Sequence, residues 1–136
     1  MKKYTQEEFD RFPVDERGRK QCPSGDYTLI QKFPECCSFG ECCSFGEWCS
    51  FGKWCKCEFG EFTAMYTAGG FGSEGRSTYF FHMADGSICV RCGCFKGTVD
   101  EWEDQVKKTH GNGVLAESYL LIGKAVRAIC EKPEEK

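Results

Sequence analysis

The 136-residue chain has no apolar run of membrane-spanning length, only two histidines and no block of basic residues. Without such a run, a helix that crosses a membrane is not expected. The net charge of −3 and the absence of a basic block argue against a nucleic-acid binder that neutralises phosphates. We therefore expect neither a membrane nor a nucleic acid as the partner.

A hydrophobic leader is also missing, since the N-terminal residues MKKYTQEEF lack the apolar segment of a secretory signal peptide. On this ground we expect a cytoplasmic protein whose twelve cysteines are mostly reduced thiols. The length suffices for one hydrophobic core but not for two independent ones. We therefore predict a single domain over residues 1–136.

Four hexads follow one another from Phe33 to Lys56, with the sequences FPECCS, FGECCS, FGEWCS and FGKWCK. The first position is always Phe, the fifth is always Cys, and the second is Gly in three of the four. A period of six fits neither a helical stripe nor an alternating strand. It indicates a chain that turns a corner in every repeat, where Gly allows an unusual φ or a close backbone approach.

The hexads resemble the repeat of left-handed β-helices, in which positions one and five point into a triangular prism and three hexads make one coil. The register extends upstream to a degenerate hexad at Tyr27. Downstream, after a two-residue insertion, it extends to hexads at Phe59, Met65 and Phe71. The resemblance implies a β-rich α+β fold, with a short left-handed β-helix of two to three coils over residues 27–76.

The flanking segments carry local signals for other elements. Asp85-Gly86 between two apolar runs predicts a β-hairpin over residues 77–97, with Met83 opposite Ile88. Capping boxes predict a short helix in the N-terminal lead-in, residues 1–26, and the first of two C-terminal α-helices over residues 98–131. The first of these two helices should end near His110, and residues 132–136 form a tail.

The whole chain resembles a group of small proteins encoded by phages and prophages of Gram-positive bacteria. The motifs that carry this resemblance are CPSGDY at 22–27, the CSFG repeats, GGFGS at 69–73 and VRCGCFKGT at 90–98. The group has no activity to carry over onto named residues. Accessory phage proteins of this size often bind and block a host factor. The resemblance implies a cytosolic protein of an infected cell, and we predict a non-enzymatic binding protein that engages and inhibits a bacterial host protein, for example a defence factor.

Position four of the hexad points outward in the β-helix template, yet it holds apolar residues. These are Ile30, Cys36, Cys42, Trp48, Trp54 and Phe62. The C-terminal helices would cover part of this belt, and the rest should form an interaction surface. We predict an acidic and aromatic surface for a bacterial host protein or a second copy of the chain. Its residues are Trp48, Trp54, Cys42, Glu41, Glu47 and Lys53.

A zinc-stabilised regulatory module is an alternative, because the chain contains closely spaced cysteines. The weak candidate ligands are Cys89, Cys92, Cys94, Cys55 and Cys57, which would supply thiolates for tetrahedral coordination. Against zinc, side chains alternate along a strand, so Cys89 and Cys92 would lie on opposite faces of the hairpin. We therefore interpret the cysteines as buried packing residues and predict no metal and no cofactor.

Acyl transfer and nucleotide binding are two further functions that the sequence brings into question. Left-handed β-helix acyltransferases use a catalytic histidine, whereas His82 and His110 both lie outside the repeats, so no enzyme is expected. The loop GGFGSEG at 69–75 would suit a phosphate, but no helix start follows it. A small-ligand or nucleotide-binding, sequestering protein therefore stays as an alternative.

Overall fold

The computed structural model describes residues 1–46, 49–68, 77–92 and 95–131. The chain divides into two compact units, Met1–Thr63 and Ala64–Lys136. Whether these units fold as one domain, as the chain length predicts, stays a prediction. Among the described residues, no helix is both long enough and apolar enough to span a membrane.

The first unit consists mainly of short strands. Its elements are α1 (Gln6–Asp10), β1 (Lys20–Cys22), β2 (Lys32–Phe33), β3 (Cys37–Phe39), β4 (Ser50–Phe51), β5 (Cys55–Cys57) and the beginning of β6 (Gly60–Ala68). The strand order is β1-β3-β5-β6, and β2 pairs with β4. The pairs β1–β3, β3–β5 and β2–β4 are all parallel. The chain therefore runs several times in the same direction past strands that it has already formed.

The parallel pairs join residues at a nearly constant spacing along the sequence. Phe33 pairs with Phe51 and Ser38 pairs with Lys56, in each case eighteen residues later. An isolated parallel bridge from Asp26 to Ser44 has the same spacing. Eighteen residues are three hexads, so each of these segments lies beside the one that is three hexads further along the chain. We call such neighbouring segments levels.

Aromatic rings at position one fill the space inside these levels. The ring of Phe33 stacks on that of Phe51 with centroids 4.9 Å apart, and Tyr27 lies 6.1 Å from Phe45 in the same manner. Phe39 meets its neighbours edge to face and is 5% exposed. Aromatic pairs of this kind add about 0.5–1.5 kcal/mol beyond the area that they bury. The inward orientation predicted for these rings is confirmed.

The N-terminal segment covers one end of the ring stack. Thr5 and Glu8 form the predicted capping box of α1, which ends at Asp10. Phe9 of this helix is 1% exposed and lies 5.5 Å from Phe33, centroid to centroid. The helix thus seals apolar rings that would otherwise face water.

The hexads predicted at Phe59 and Met65 are wrong. Strand β6 runs antiparallel to β5, with Cys57 opposite Gly60. Gly60 has a φ of 118°, which a glycine adopts without steric cost, so the chain reverses here instead of turning another corner. The β-helix prediction for residues 27–76 therefore does not hold over Gly60–Ala68. The hexad at residues 71–76 lies outside the described residues.

The second unit combines antiparallel strands with two helices, as predicted. Its strand order is β6-β7-β8-β9. The elements after β6 are β7 (Thr78–Met83), β8 (Ile88–Cys92), β9 (Phe95–Thr98), α2 (Val99–His110) and α3 (Val114–Glu131). The predicted hairpin and the two C-terminal helices are confirmed, including the Thr98–Glu101 capping box of α2. Strand β9 was not predicted as a separate strand.

The register of the hairpin differs by one residue from the prediction. Its loop has three residues, because the Met83 N–H donates to the Ser87 carbonyl at 2.8 Å. Gly86 has a φ of 92°, which suits a three-residue loop ended by a left-handed glycine. Consequently His82, and not Met83, lies opposite Ile88.

The shifted register decides which residues enter the core of the second unit. Its buried members are Phe80, Ile88, Val90, Val99, Trp102, Val106, Ala116, Tyr119 and Val126. The indole of Trp102 lies so close to Gly123 that a Cβ there would come within 2.8 Å of the ring. This glycine therefore sets the approach of α3 to α2.

We expect Phe39→Ala to lower the free energy of unfolding by about 3–5 kcal/mol, because it removes a buried ring and leaves a cavity. Gln31→Ala is the control, since Gln31 is exposed and its loss should have little effect. Urea denaturation of the two variants and the parent measures the difference. Similar losses for both variants would contradict the inward position of Phe39.

Candidate protein-interaction site

The corners of the first unit have an unusual backbone conformation. Position four of three hexads is left-handed, with φ of 62° at Cys36, 56° at Cys42 and 62° at Trp54. In the described part of the chain these are the only non-glycine residues with positive φ. A side chain in this region costs roughly 1–2 kcal/mol relative to the right-handed conformation. The corners are therefore strained unless glycine occupies position four.

The glycines of the hexads stand at position two for a different reason. A Cβ on Gly52 would come within 2.5 Å of the Glu35 backbone nitrogen, and one on Gly40 within 2.8 Å of the Ser24 nitrogen. Backbones of neighbouring levels approach too closely there for any side chain. Position two was expected to need glycine either for a close backbone approach or for an unusual φ. The close approach is the reason at Gly40 and Gly52, whereas the positive φ occurs at position four.

Three of the four position-five cysteines form a hydrogen bond inside their own corner. Their thiols donate to the carbonyl of position two in the same hexad: Cys37 to Pro34 at 3.4 Å, Cys43 to Gly40 at 3.2 Å and Cys55 to Gly52 at 3.3 Å. These cysteines are at most 1% exposed. A thiol is small enough for the corner and still supplies a weak donor to a carbonyl that water does not reach.

The buried thiols are poor nucleophiles at neutral pH. Hydrogen bonding between the protonated Cys37 thiol and Cys22, together with burial, raises the pKa of Cys37 to about 12. Hydrogen bonding of the protonated Cys55 thiol to Cys37, together with burial, raises the pKa of Cys55 further. Since only the thiolate attacks electrophiles or binds metals well, these groups are suited to packing.

None of the weak zinc candidates belongs to a described metal-binding cluster. No group of three or more His, Cys, Asp or Glu in the described residues is arranged to hold a metal ion. Cys89 and Cys92 both lie in β8, opposite Phe81 and Thr78 respectively. Cys55 and Cys57 lie in β5, and Cys94 is outside the described residues. The eleven cysteines that the structure describes form no disulfide.

The predicted interaction residues are exposed wherever the structure describes them. Trp54 is 51% exposed, and Cys42, Glu41 and Lys53 are exposed as well. Trp48 and Glu47 lie outside the described residues.

Two other position-four residues, Ile30 and Phe62, are buried, so their predicted outward orientation is wrong. In the hexad that starts at Tyr27, the turn comes one residue earlier, at Thr28 and Leu29, so Ile30 points inward. Phe62 belongs to β6, which follows no hexad register.

The predicted residues do not form one continuous belt. The Cys36 N–H donates to the Lys53 carbonyl at 2.9 Å, so the Lys53–Trp54 corner stacks on Glu35–Cys36. The Glu41–Cys42 corner instead follows Gly40, whose N–H donates to Cys22. The two corners therefore adjoin different segments of the chain, and Trp54 is not stacked on the Glu41–Cys42 corner.

Three basic residues lie near Trp54, one through a hydrogen bond and two by their place in the sequence. A guanidinium N–H of Arg19 donates to the Trp54 carbonyl at 3.0 Å. Lys53 precedes Trp54 in the chain, and Lys56 lies two residues after it in β5, opposite Glu61 of β6. None of these three takes part in a described ion pair, and Glu35 is the acidic residue at the adjacent corner. We call Arg19, Lys53, Trp54 and Lys56 the Trp54 corner.

Sequence reasoning missed Arg19 because it lies in the lead-in, before the repeat begins. The pairing of Lys20 with Cys37 puts Arg19 one level from Cys36, which lies one level from Trp54. An alignment of the lead-in with the hexads at a spacing of seventeen residues would have found it.

Comparison with protein-family models, curated proteins and solved structures gives no match for this chain.

We expect Cys37, Cys43 and Cys55 to resist alkylation by iodoacetamide in the native protein, because all three are buried and the pKa values of Cys37 and Cys55 are raised. The exposed Cys42 should react at once and serves as the internal control. Peptide mass spectrometry after short exposure distinguishes the sites. Native-state labelling of Cys37 or Cys55 as fast as Cys42 would refute the interior positions of these thiols.

We expect Cys42→Gly to raise the free energy of unfolding by about 0.5–1 kcal/mol, because glycine relieves the left-handed strain. Ser50→Gly is the matched control, since Ser50 is exposed in β4 and glycine in a strand should destabilise by about the same amount. Chemical denaturation measures both variants. A loss of stability in Cys42→Gly similar to that in Ser50→Gly would argue against strain at the corner.

Proposed function

We propose that this chain is a non-enzymatic binding protein that engages a bacterial host protein through the Trp54 corner. We further propose that it is a phage-encoded cytoplasmic inhibitor, for example of a defence factor. The single observation that carries the binding role is an indole that is half exposed at a strained position of a rigid corner.

A short left-handed β-helix over the hexads is part of the proposal. The parallel spacing of eighteen residues, the inward rings and a turn at position four in three hexads support it. Such a scaffold holds its corners rigidly, because each is hydrogen-bonded to the level beside it. Rigid anchors lose little conformational entropy on binding, which favours affinity.

The choice of tryptophan at this corner supports a binding role. Cys36 and Cys42 occupy the same backbone position at other corners, so the fold does not need a large side chain there. A half-exposed indole gains stability when a partner buries it, at about 25 cal/mol per Å² of apolar area. Tryptophan is also enriched among the residues that dominate binding energy at protein interfaces.

The charges around Trp54 indicate the chemistry of the partner. Arg19, Lys53 and Lys56 make this corner basic, whereas the sequence of the repeat predicts an acidic surface. Complementary charge increases association rate and specificity. The host protein should therefore present carboxylates around an apolar pocket that receives the indole.

The phage origin and the inhibitory role depend on the resemblance of the motifs to small phage and prophage proteins. Binding alone would be compatible with other roles in the cell. Inhibition is the role that a small accessory phage protein with a rigid anchor would most simply perform. Identification of the host protein and an assay of its activity with and without this chain would decide between inhibition and simple binding.

The direct test is capture from a bacterial lysate with the parent chain and with Trp54→Gly. Glycine removes the anchor and also relieves the left-handed backbone, so the variant should be at least as stable as the parent. We expect the captured host protein to bind the variant about 30-fold more weakly or worse, as for loss of an interface hot spot. Titration with the purified partner measures this difference.

Cys42→Gly is the control, because it makes the same backbone change at a corner outside the Trp54 corner. It should leave capture unchanged. Binding to a partner of the proposed charge should also weaken with rising salt. If Trp54→Gly captures the same protein as tightly as the parent does, the proposed anchor is wrong.

A further inference from the structure

Helix α3 of the second unit has apolar residues on its exposed outer side as well as on its buried side. Val114 is 80% exposed, Leu121 is 60% exposed and Ile129 is 53% exposed. At seven and eight residues apart, these side chains share one face of the helix. Tyr119, Gly123 and the other buried residues of α3 lie on the side that packs against the core. An apolar face in water is costly unless a partner covers it.

Small residues lie between the large ones on this face. Ala125 and Ala128 are exposed, and Ser118 lies beside them. The Ser118 hydroxyl donates to the Val114 carbonyl at 2.8 Å within the same helix, so it needs no polar partner outside. Small side chains allow a second helix to approach to about 8 Å between axes. We call Val114, Ser118, Leu121, Ala125, Ala128 and Ile129 the outer face of α3.

We infer that this face pairs with the α3 outer face of a second copy of the chain, with the two helices antiparallel. A two-fold axis beside Leu121 brings the two Leu121 side chains together. It also sets Val114 of each copy against Ala128 of the other, a large residue against a small one. Such a contact is isologous and closes after two copies. The inference concerns the second unit and does not rest on the function proposed for the Trp54 corner.

Charge selects a second copy in the antiparallel orientation. Glu117 and Lys124 lie along one edge of the outer face, both exposed, and neither has a described ion pair within the chain. In the antiparallel pair, Glu117 of each copy lies beside Lys124 of the other, which gives two complementary pairs. In a parallel pair, this edge of the two copies would lie on opposite sides of the contact, so neither complementary pair would form. Complementary charge at a rim favours the correct orientation over the alternative.

A groove lies beside the same edge of α3. An open groove of about 410 Å³ runs there, with Lys107, Leu120, Leu121 and Lys124 among its lining residues. A second helix seated on the outer face would place side chains over this groove. The groove therefore adds contact area where the two complementary charge pairs form.

Sedimentation velocity of the full chain tests the inference over a concentration range from about 1 to 100 µM. The parent should associate to dimers within this range. Leu121→Lys should be monomeric throughout, because it puts a charge at the two-fold axis. Since Leu121 is exposed, this variant should keep the circular dichroism spectrum of the parent. A monomeric parent at about 100 µM, or a Leu121→Lys variant that still dimerises, overturns the inference.

Charge exchange tests the orientation and does not depend on the leucine. Glu117→Lys alone and Lys124→Glu alone should each weaken dimerisation by about 10-fold, because each brings like charges together. The double variant E117K/K124E should recover the affinity of the parent. Lys108→Glu, an exposed change on α2 that does not line the groove, is the control and should leave the affinity unchanged. Failure of the double variant to recover overturns the antiparallel pairing.

Discussion

Stacking of aromatic rings at position one of each hexad sets the dimensions of the first unit. The 4.9 Å between the rings of Phe33 and Phe51 matches the distance of about 4.8 Å between neighbouring strands. The strands that carry these two rings pair in parallel, eighteen residues apart along the chain. The glycines at position two and the cysteines at position five then follow, because only these small residues fit the tight turns between levels.

The corners connect this interior to the surface. Turning the chain sharply leaves position four left-handed, and a side chain there points away from the packed rings. At Cys42 this position carries a small thiol, and at Trp54 it carries a large indole, next to a backbone carbonyl that accepts a hydrogen bond from Arg19. The same backbone device therefore serves packing at one corner and, on our proposal, recognition at another. The outer face of α3 in the second unit is an independent surface, apolar where the Trp54 corner is basic.

Much of the architecture was predictable because its causes are local. The hexad period, the capping boxes at Thr5 and Thr98, and the turn signal at Asp85-Gly86 each involve residues within six positions of one another. The candidate site was predictable in part, since Trp54 and Lys53 are exposed as expected. The basic character of the Trp54 corner was not predictable, because Arg19 reaches Trp54 from a segment thirty-five residues away.

The sequence by itself determined the eighteen-residue spacing, the inward rings and the helices, because periodicity and capping depend on neighbouring residues. Tertiary structure alone decided where the repeat ends, since Gly60 either continues a hexad or reverses the chain according to how β6 pairs with β5. It also decided the hairpin register, because Gly86 permits a left-handed residue that lengthens the loop by one. In both places a glycine allows two backbone paths with similar local energy, and pairing with distant strands selects one.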